Sequence, residues 1–134
     1  MSEIDWELIR DVLQKVQKAL TTIEKRFRQV PDVEFFQTEE GQERLDGICM
    51  LLEAIGESFK NIDKYSHKSF LSRYPEVDWK KIIGFRNIIA HNYFDIDEEA
   101  VFDNCRNHLS PLLTIVERMI NDLQSSGHGC KQGE

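Results

Sequence analysis

In Ile9-Arg10-Asp11-Val12-Leu13-Gln14-Lys15-Val16-Gln17-Lys18-Ala19-Leu20-Thr21-Thr22-Ile23-Glu24-Lys25-Arg26-Phe27, apolar side chains fall at Ile9, Val12, Leu13, Val16, Leu20, Ile23 and Phe27. Steps of three and four residues place them on one stripe of a helix, with charged and amide residues on the opposite side. Pro31-Asp32 interrupts the pattern, because proline clashes with a continuing helix and restrains the residue before it. A short connection to Thr38 is expected. The period then resumes at Leu45, Ile48, Cys49, Leu52, Ile55, Phe59 and Ile62, with Thr38 as N-cap and Glu39 and Glu40 near the positive helix end. Met50 and Leu51 fall off that stripe and make a second apolar surface, a candidate for subunit pairing.

Residues 63–75 mix polar and aromatic types without a long period, so a loop with a short helical turn is expected. Asp78 should cap a third helix through Trp79, Ile82, Ile83, Phe85, Ile88 and Ile89, fading near Tyr93-Phe94-Asp95. Asp97 should cap a fourth, carrying Val101, Phe102, Cys105, Leu109, Leu112, Val116, Ile120 and Leu123, with Pro111 bending it. Strand-period alternation and internal repeats are absent. The expected fold is all-α, an up-and-down bundle of four or five helices formed by residues 1–124 as one domain. The polar, glycine-rich residues 125–134 are expected to form a disordered tail.

Composition limits the function classes. The 134 residues are 40% hydrophobic, enough for one core without metal or disulfide staples. Seventeen basic against 24 acidic side chains leave a formal charge of −7, so any binding to RNA must be local. Cys49, Cys105 and Cys130 have no close pairing, and the first residues lack a signal-peptide pattern, which together point to a reducing, cytoplasmic setting. Cys49 and Cys105 lie on apolar stripes and read as small buried hydrophobes. No apolar run reaches the ~20 residues of a membrane span.

The chemistry concentrates in Gly84-Phe85-Arg86-Asn87-Ile88-Ile89-Ala90-His91-Asn92-Tyr93. On a helix Arg86, Ala90 and Tyr93 share an edge with Asn87 and His91 beside them, while Ile82, Phe85, Ile88 and Ile89 face the core. An arginine fork for phosphate oxygens and an imidazole that titrates near neutrality suit phosphodiester chemistry. Arg86 and His91 nevertheless diverge by roughly 140° on a straight helix. Unwinding of the helix between Ala90 and Tyr93, or pairing of two copies around one cleft, would resolve this, and both are expected. Lys60, Lys64, Lys68, Arg73, Lys80 and Lys81 could widen a basic approach, although Asp63, Glu76 and Asp78 interrupt them. His67 and His108 lack partners at ligand spacing, and His128-Gly129-Cys130 offers only two ligands, so no metal site is assigned.

The string Arg86-x4-His91-x-Tyr93 with Asn87, flanked by Leu45-Asp46, Ile55-Gly56-Glu57, Pro75-Glu76-Val77-Asp78-Trp79, Gly84 and Tyr93-Phe94-Asp95-Ile96-Asp97, resembles the HepT-like ribonuclease toxins of the HEPN superfamily over residues 5 to 123. The resemblance implies a HEPN-like bundle, a homodimer and a metal-independent endoribonuclease without cofactor. It makes Arg86 and His91 the catalytic pair and Asn87 and Tyr93 supporting, substrate-binding residues. It further implies the toxin role in a type VII toxin-antitoxin pair, silenced when a minimal nucleotidyltransferase antitoxin transfers AMP to Tyr93. The alternative is a non-catalytic helical module that binds that nucleotidyltransferase or a nucleotide.

Overall fold

A computed structural model of the chain describes residues 3–84 and 95–125. Asp5 opens the first helix, α1 (Trp6–Phe27), its carboxylate accepting the Leu8 N–H at 3.0 Å. The stripe that periodicity selects is the buried one: Ile9, Leu13, Val16, Leu20 and Ile23 are sealed, while Val12 and Phe27 are half-buried. Lys25 and Arg26 in the last turn complement its negative end.

The connection to Thr38 is more than a tether. Asp32 caps a 3-10 turn, Val33–Gln37, that inserts Phe36 fully into the core. The Thr38 hydroxyl donates to the Phe35 carbonyl at 2.8 Å and accepts the Gly41 N–H at 2.9 Å. One side chain thus ends the turn and opens α2 (Glu39–Tyr65). On α2, Leu45, Ile48, Cys49, Leu52, Ile55, Phe59 and Ile62 are buried. Of the two residues off that stripe, Leu51 packs partly against the core and Met50 remains 66% exposed.

Residues 66–78 do contain a short helical turn, Leu71–Arg73, and they also contribute core: Phe70, Leu71 and Tyr74 are buried. The third helix, α3, begins where Asp78 accepts the Lys81 N–H at 3.1 Å, and is described over residues 79–84. Phe85, Ile88 and Ile89, expected to face the core, lie outside the described residues. Asp97 caps α4 (Glu98–Asn107), accepting the Ala100 N–H at 3.0 Å. The expected bend at Pro111 is a sharper break: α4 ends at Asn107, and α5 (Leu109–Ser125) starts after His108. Proline lacks the N–H that the Asn107 carbonyl would accept, and its ring crowds that carbonyl. Pro111 is tolerated because it stands in the first turn of a new helix.

Helix α1 packs along both α2 and α5, and α4 leans on α5, α1 and the Val33–Gln37 turn. Edge-to-face rings link these layers, with Phe102 of α4 at 5.0 Å from Phe27 and 6.4 Å from Phe36. Among the described residues every regular element is helical, so the fold is all-α as expected. The expected tail of residues 125–134 begins one residue too early, since Ser125 still belongs to α5, and residues 126–134 lie outside the described residues.

Cys49 and Cys105 are buried free thiols. Burial, then the carboxylates of Asp46 and Glu53, pushes the Cys49 thiol up to about 12. Burial, then Cys49 itself, pushes Cys105 up to about 12. The unfolded chain releases these protons near pH 9, whereas the native state keeps them. Their contribution to stability is therefore complete below about pH 9 and lost as pH rises toward 12, by up to ~1.4 kcal/mol per pH unit for each thiol. Urea denaturation between pH 8 and 11 should show this alkaline decline. A Cys105→Ala variant should show a shallower decline, and equal slopes would contradict the assignment.

Candidate functional site

The motif residues Arg86, Asn87, His91 and Tyr93 lie outside the described residues, and the structure defines the two anchors that bracket them. On the leading side, the Trp79 ring lies 4.8 Å from that of Phe59 on α2, and its indole N–H donates to the Tyr74 carbonyl at 2.9 Å. Tyr74 is itself fixed by its hydroxyl, which donates to Asp122 on α5 at 2.6 Å. Burial, reinforced by that hydrogen bond, raises the phenol above its ordinary value. The start of α3 is thereby tied to α2 and, through Tyr74, to α5.

On the trailing side, Glu98 follows the Asp97 cap and accepts hydrogen bonds from the Gln37 and Gln42 amides, the second at 3.2 Å. The Gln42 amide also donates to the Phe36 carbonyl. The first turn of α4 is thus attached to the start of α2 and to the 3-10 turn. Ten residues, 85–94, run between these two fixed ends.

The six basic residues singled out in the sequence do not form one patch. Lys60, Lys64 and Lys68 meet in a surface hollow of about 450 Å³ that also contains Asp63 and His67. The Arg73 guanidinium stacks instead over the rings of Trp6 at 5.1 Å and Phe70 at 5.4 Å. Lys80 is exposed on α3. Lys81 lines a different groove of about 580 Å³, where Val77, Ile82, Leu112 and Ile115 meet Asn104 and His108. Sequence reasoning did not find that groove, because its walls come from two separated stretches, 76–82 and 104–115, with no shared period.

At its rim Glu76 and Arg118 form an ion pair at 2.5 Å. The Glu76 carboxyl is lowered by its own backbone hydrogen bond and then by Arg118, and Glu76 in turn raises Arg118. His67 is exposed in the turn after α2. His108 is exposed at the α4–α5 break, 3.7 Å from Asp103. Among the described residues no three His, Cys, Asp or Glu side chains gather as a metal site, and no helix is long and apolar enough to cross a membrane.

Comparison with known proteins places this arrangement in a family. The profile of the family described as "Ribonuclease HepT-like" matches residues 16–119. A protein of Methanocaldococcus jannaschii named as a candidate RNase is 28% identical over 93 residues, 69% of this chain and 74% of its own length. A second from the same organism is 40% identical over 50 residues, 37% of this chain and 42% of its own length. The protein of Thermococcus cleftensis named probable ribonuclease HepT is 24% identical over 110 residues, 82% of this chain and 94% of its own. No solved structure matches. The family match runs from the middle of α1 into α5 and encloses the Arg86-to-Tyr93 string, and on that ground the chain belongs to the HepT-like ribonuclease family of the HEPN superfamily.

Proposed function

We propose that the chain is a metal-independent endoribonuclease acting as a homodimer, the toxin of a pair whose antitoxin is a minimal nucleotidyltransferase. The observation that carries this reading is the complete Arg86-Asn87-x3-His91-x-Tyr93 string inside the matched family region. The ribose 2′-hydroxyl attacks its own 3′-phosphate and the 5′-oxygen leaves. His91 moves the proton, and Arg86 neutralises the charge that grows on the phosphoryl oxygens. Asn87, one turn from His91, orients the imidazole or bonds the substrate, and Tyr93 stacks on a base or donates to phosphate. Pairing two copies resolves the divergence of Arg86 from His91 by letting each chain supply part of one cleft.

The test is incubation of the purified chain with total RNA in EDTA. Cleavage should leave 2′,3′-cyclic phosphate ends and should vanish in His91→Ala. If EDTA stops the reaction, or the variant cuts like the parent, this mechanism is wrong; no cleavage by the parent would leave a binding module without turnover.

Control runs through Tyr93. An AMP group on its phenol would bring negative charge and bulk to an arginine-lined cleft, neutralise Arg86 and exclude RNA. After coexpression with the nucleotidyltransferase, peptide mass spectrometry should find AMP on Tyr93 in silenced protein. Unmodified Tyr93 in fully silenced protein would show that binding alone does the silencing.

A further inference from the structure

The hollow formed by Lys60, Asp63, Lys64, His67 and Lys68 is built from the last turns of α2 and the residues that end it. Lys60 and Lys64 stand one turn apart on α2, while Phe59 and Ile62 turn inward, and His67 and Lys68 follow in the turn that ends the helix. The backbone that carries the last two is held firmly. The Lys68 N–H bonds the Asp63 carbonyl at 2.7 Å and the His67 N–H bonds that of Lys64 at 3.1 Å, the paired closure that normally ends on glycine. Here His67 and Lys68 occupy the left-handed region, at φ 55° and 64°. L side chains adopt that region at a cost, and such positions persist where the surroundings impose them. Ser66 imposes it: buried, it accepts the Phe70 N–H at 3.2 Å, and its carbonyl accepts the Ser69 hydroxyl at 2.7 Å.

The acids that dilute this basic run in the sequence are engaged elsewhere. Glu76 is paired with Arg118, and Asp78 caps α3. Among the described residues only Asp63 shares the hollow, so three lysines stand with one carboxylate on a chain whose total charge is −7.

We propose that this hollow is a phosphate-backbone exosite for single-stranded RNA, which holds the strand by its phosphates and reads no bases. The proposal rests on the ribonuclease reading for its choice of polyanion. Lysine serves here as a point charge for phosphate, and the contacts are independent of sequence.

The test measures binding of a fluorescent single-stranded RNA to His91→Ala protein by anisotropy across salt concentrations, so that it can be read whether or not the parent cuts RNA. Adding Lys60→Ala, Lys64→Ala and Lys68→Ala should reduce the slope of log affinity against log salt by about 2, at ~0.7 for each lost phosphate contact, equally for different base sequences. The control replaces exposed Lys15, Lys18 and Lys25 of α1 with alanine, removing the same charge, and should leave the slope unchanged. The proposal is overturned if the His91→Ala protein does not bind RNA, if the Lys60/Lys64/Lys68 variant keeps the parental slope, or if both triple variants lose slope equally. Failure of the parent to cleave RNA would instead count against the ribonuclease reading alone.

Discussion

His91→Ala should lower RNA cleavage by ~10²- to 10⁴-fold, the range for removing a positioned acid or base, and Arg86→Ala by ~10²- to 10³-fold, the range for one donor to a developing oxyanion. Both side chains fall on the polar side of the helical pattern, opposite Ile82, Phe85, Ile88 and Ile89, so the thermal midpoint should move little. Mixing the two inactive variants tests the shared cleft. If each site takes Arg86 from one chain and His91 from the other, half the dimers in an equal mixture are heterodimers, and each has one intact site. About a quarter of the parental activity then returns. If each chain supplies its own complete site, mixing restores nothing, and unwinding of the helix near Ala90 must bring Arg86 and His91 together instead.

The long elements were legible in the sequence because a 3.6-residue period repeats several times across α1 and α2, and the oxygens of Thr38, Asp78 and Asp97 cap the helices as expected. The Val33–Gln37 turn was not, since five residues are too few to reveal a period, and Phe36 is followed by polar residues that suggest a surface loop. The break at His108 was half legible. Pro111 marked the disturbance, but only the N–H it cannot offer to the Asn107 carbonyl places the break three residues upstream. The lysine cluster was visible as spacing and obscured by acids, and the decisive contact, Glu76 with Arg118, spans 42 residues. The proposed catalytic string, Arg86 to Tyr93, stands out in the sequence by its residue types, while the described segments on either side are held by long-range contacts such as Phe59 with Trp79 and Gln42 with Glu98 that no local pattern announces.

Gly41→Ala should destabilise the fold by about 3 kcal/mol or more, although alanine is the better helix former by up to ~1 kcal/mol. A Cβ at position 41 would stand 1.8 Å from the Phe35 carbonyl oxygen, 2.6 Å from its carbon and 2.9 Å from the Phe36 Cα. All three are backbone atoms, so no rotamer can relieve the clash. The Val33–Gln37 turn would have to lift from α2, withdrawing Phe36 from the core and breaking the Gln42 bond to the Phe36 carbonyl. Loss of a buried phenylalanine alone is worth ~3–5 kcal/mol. Gly47→Ala on the same helix is the control: its Cβ would meet only the Arg26 Nη1 at 3.3 Å, the far end of a flexible side chain. There the helix preference should prevail and leave stability unchanged or raised by up to ~1 kcal/mol. Urea denaturation of the two variants should move their midpoints in opposite directions or move only Gly41→Ala. A Gly41→Ala protein as stable as the parent would mean that the turn does not sit on α2 as described.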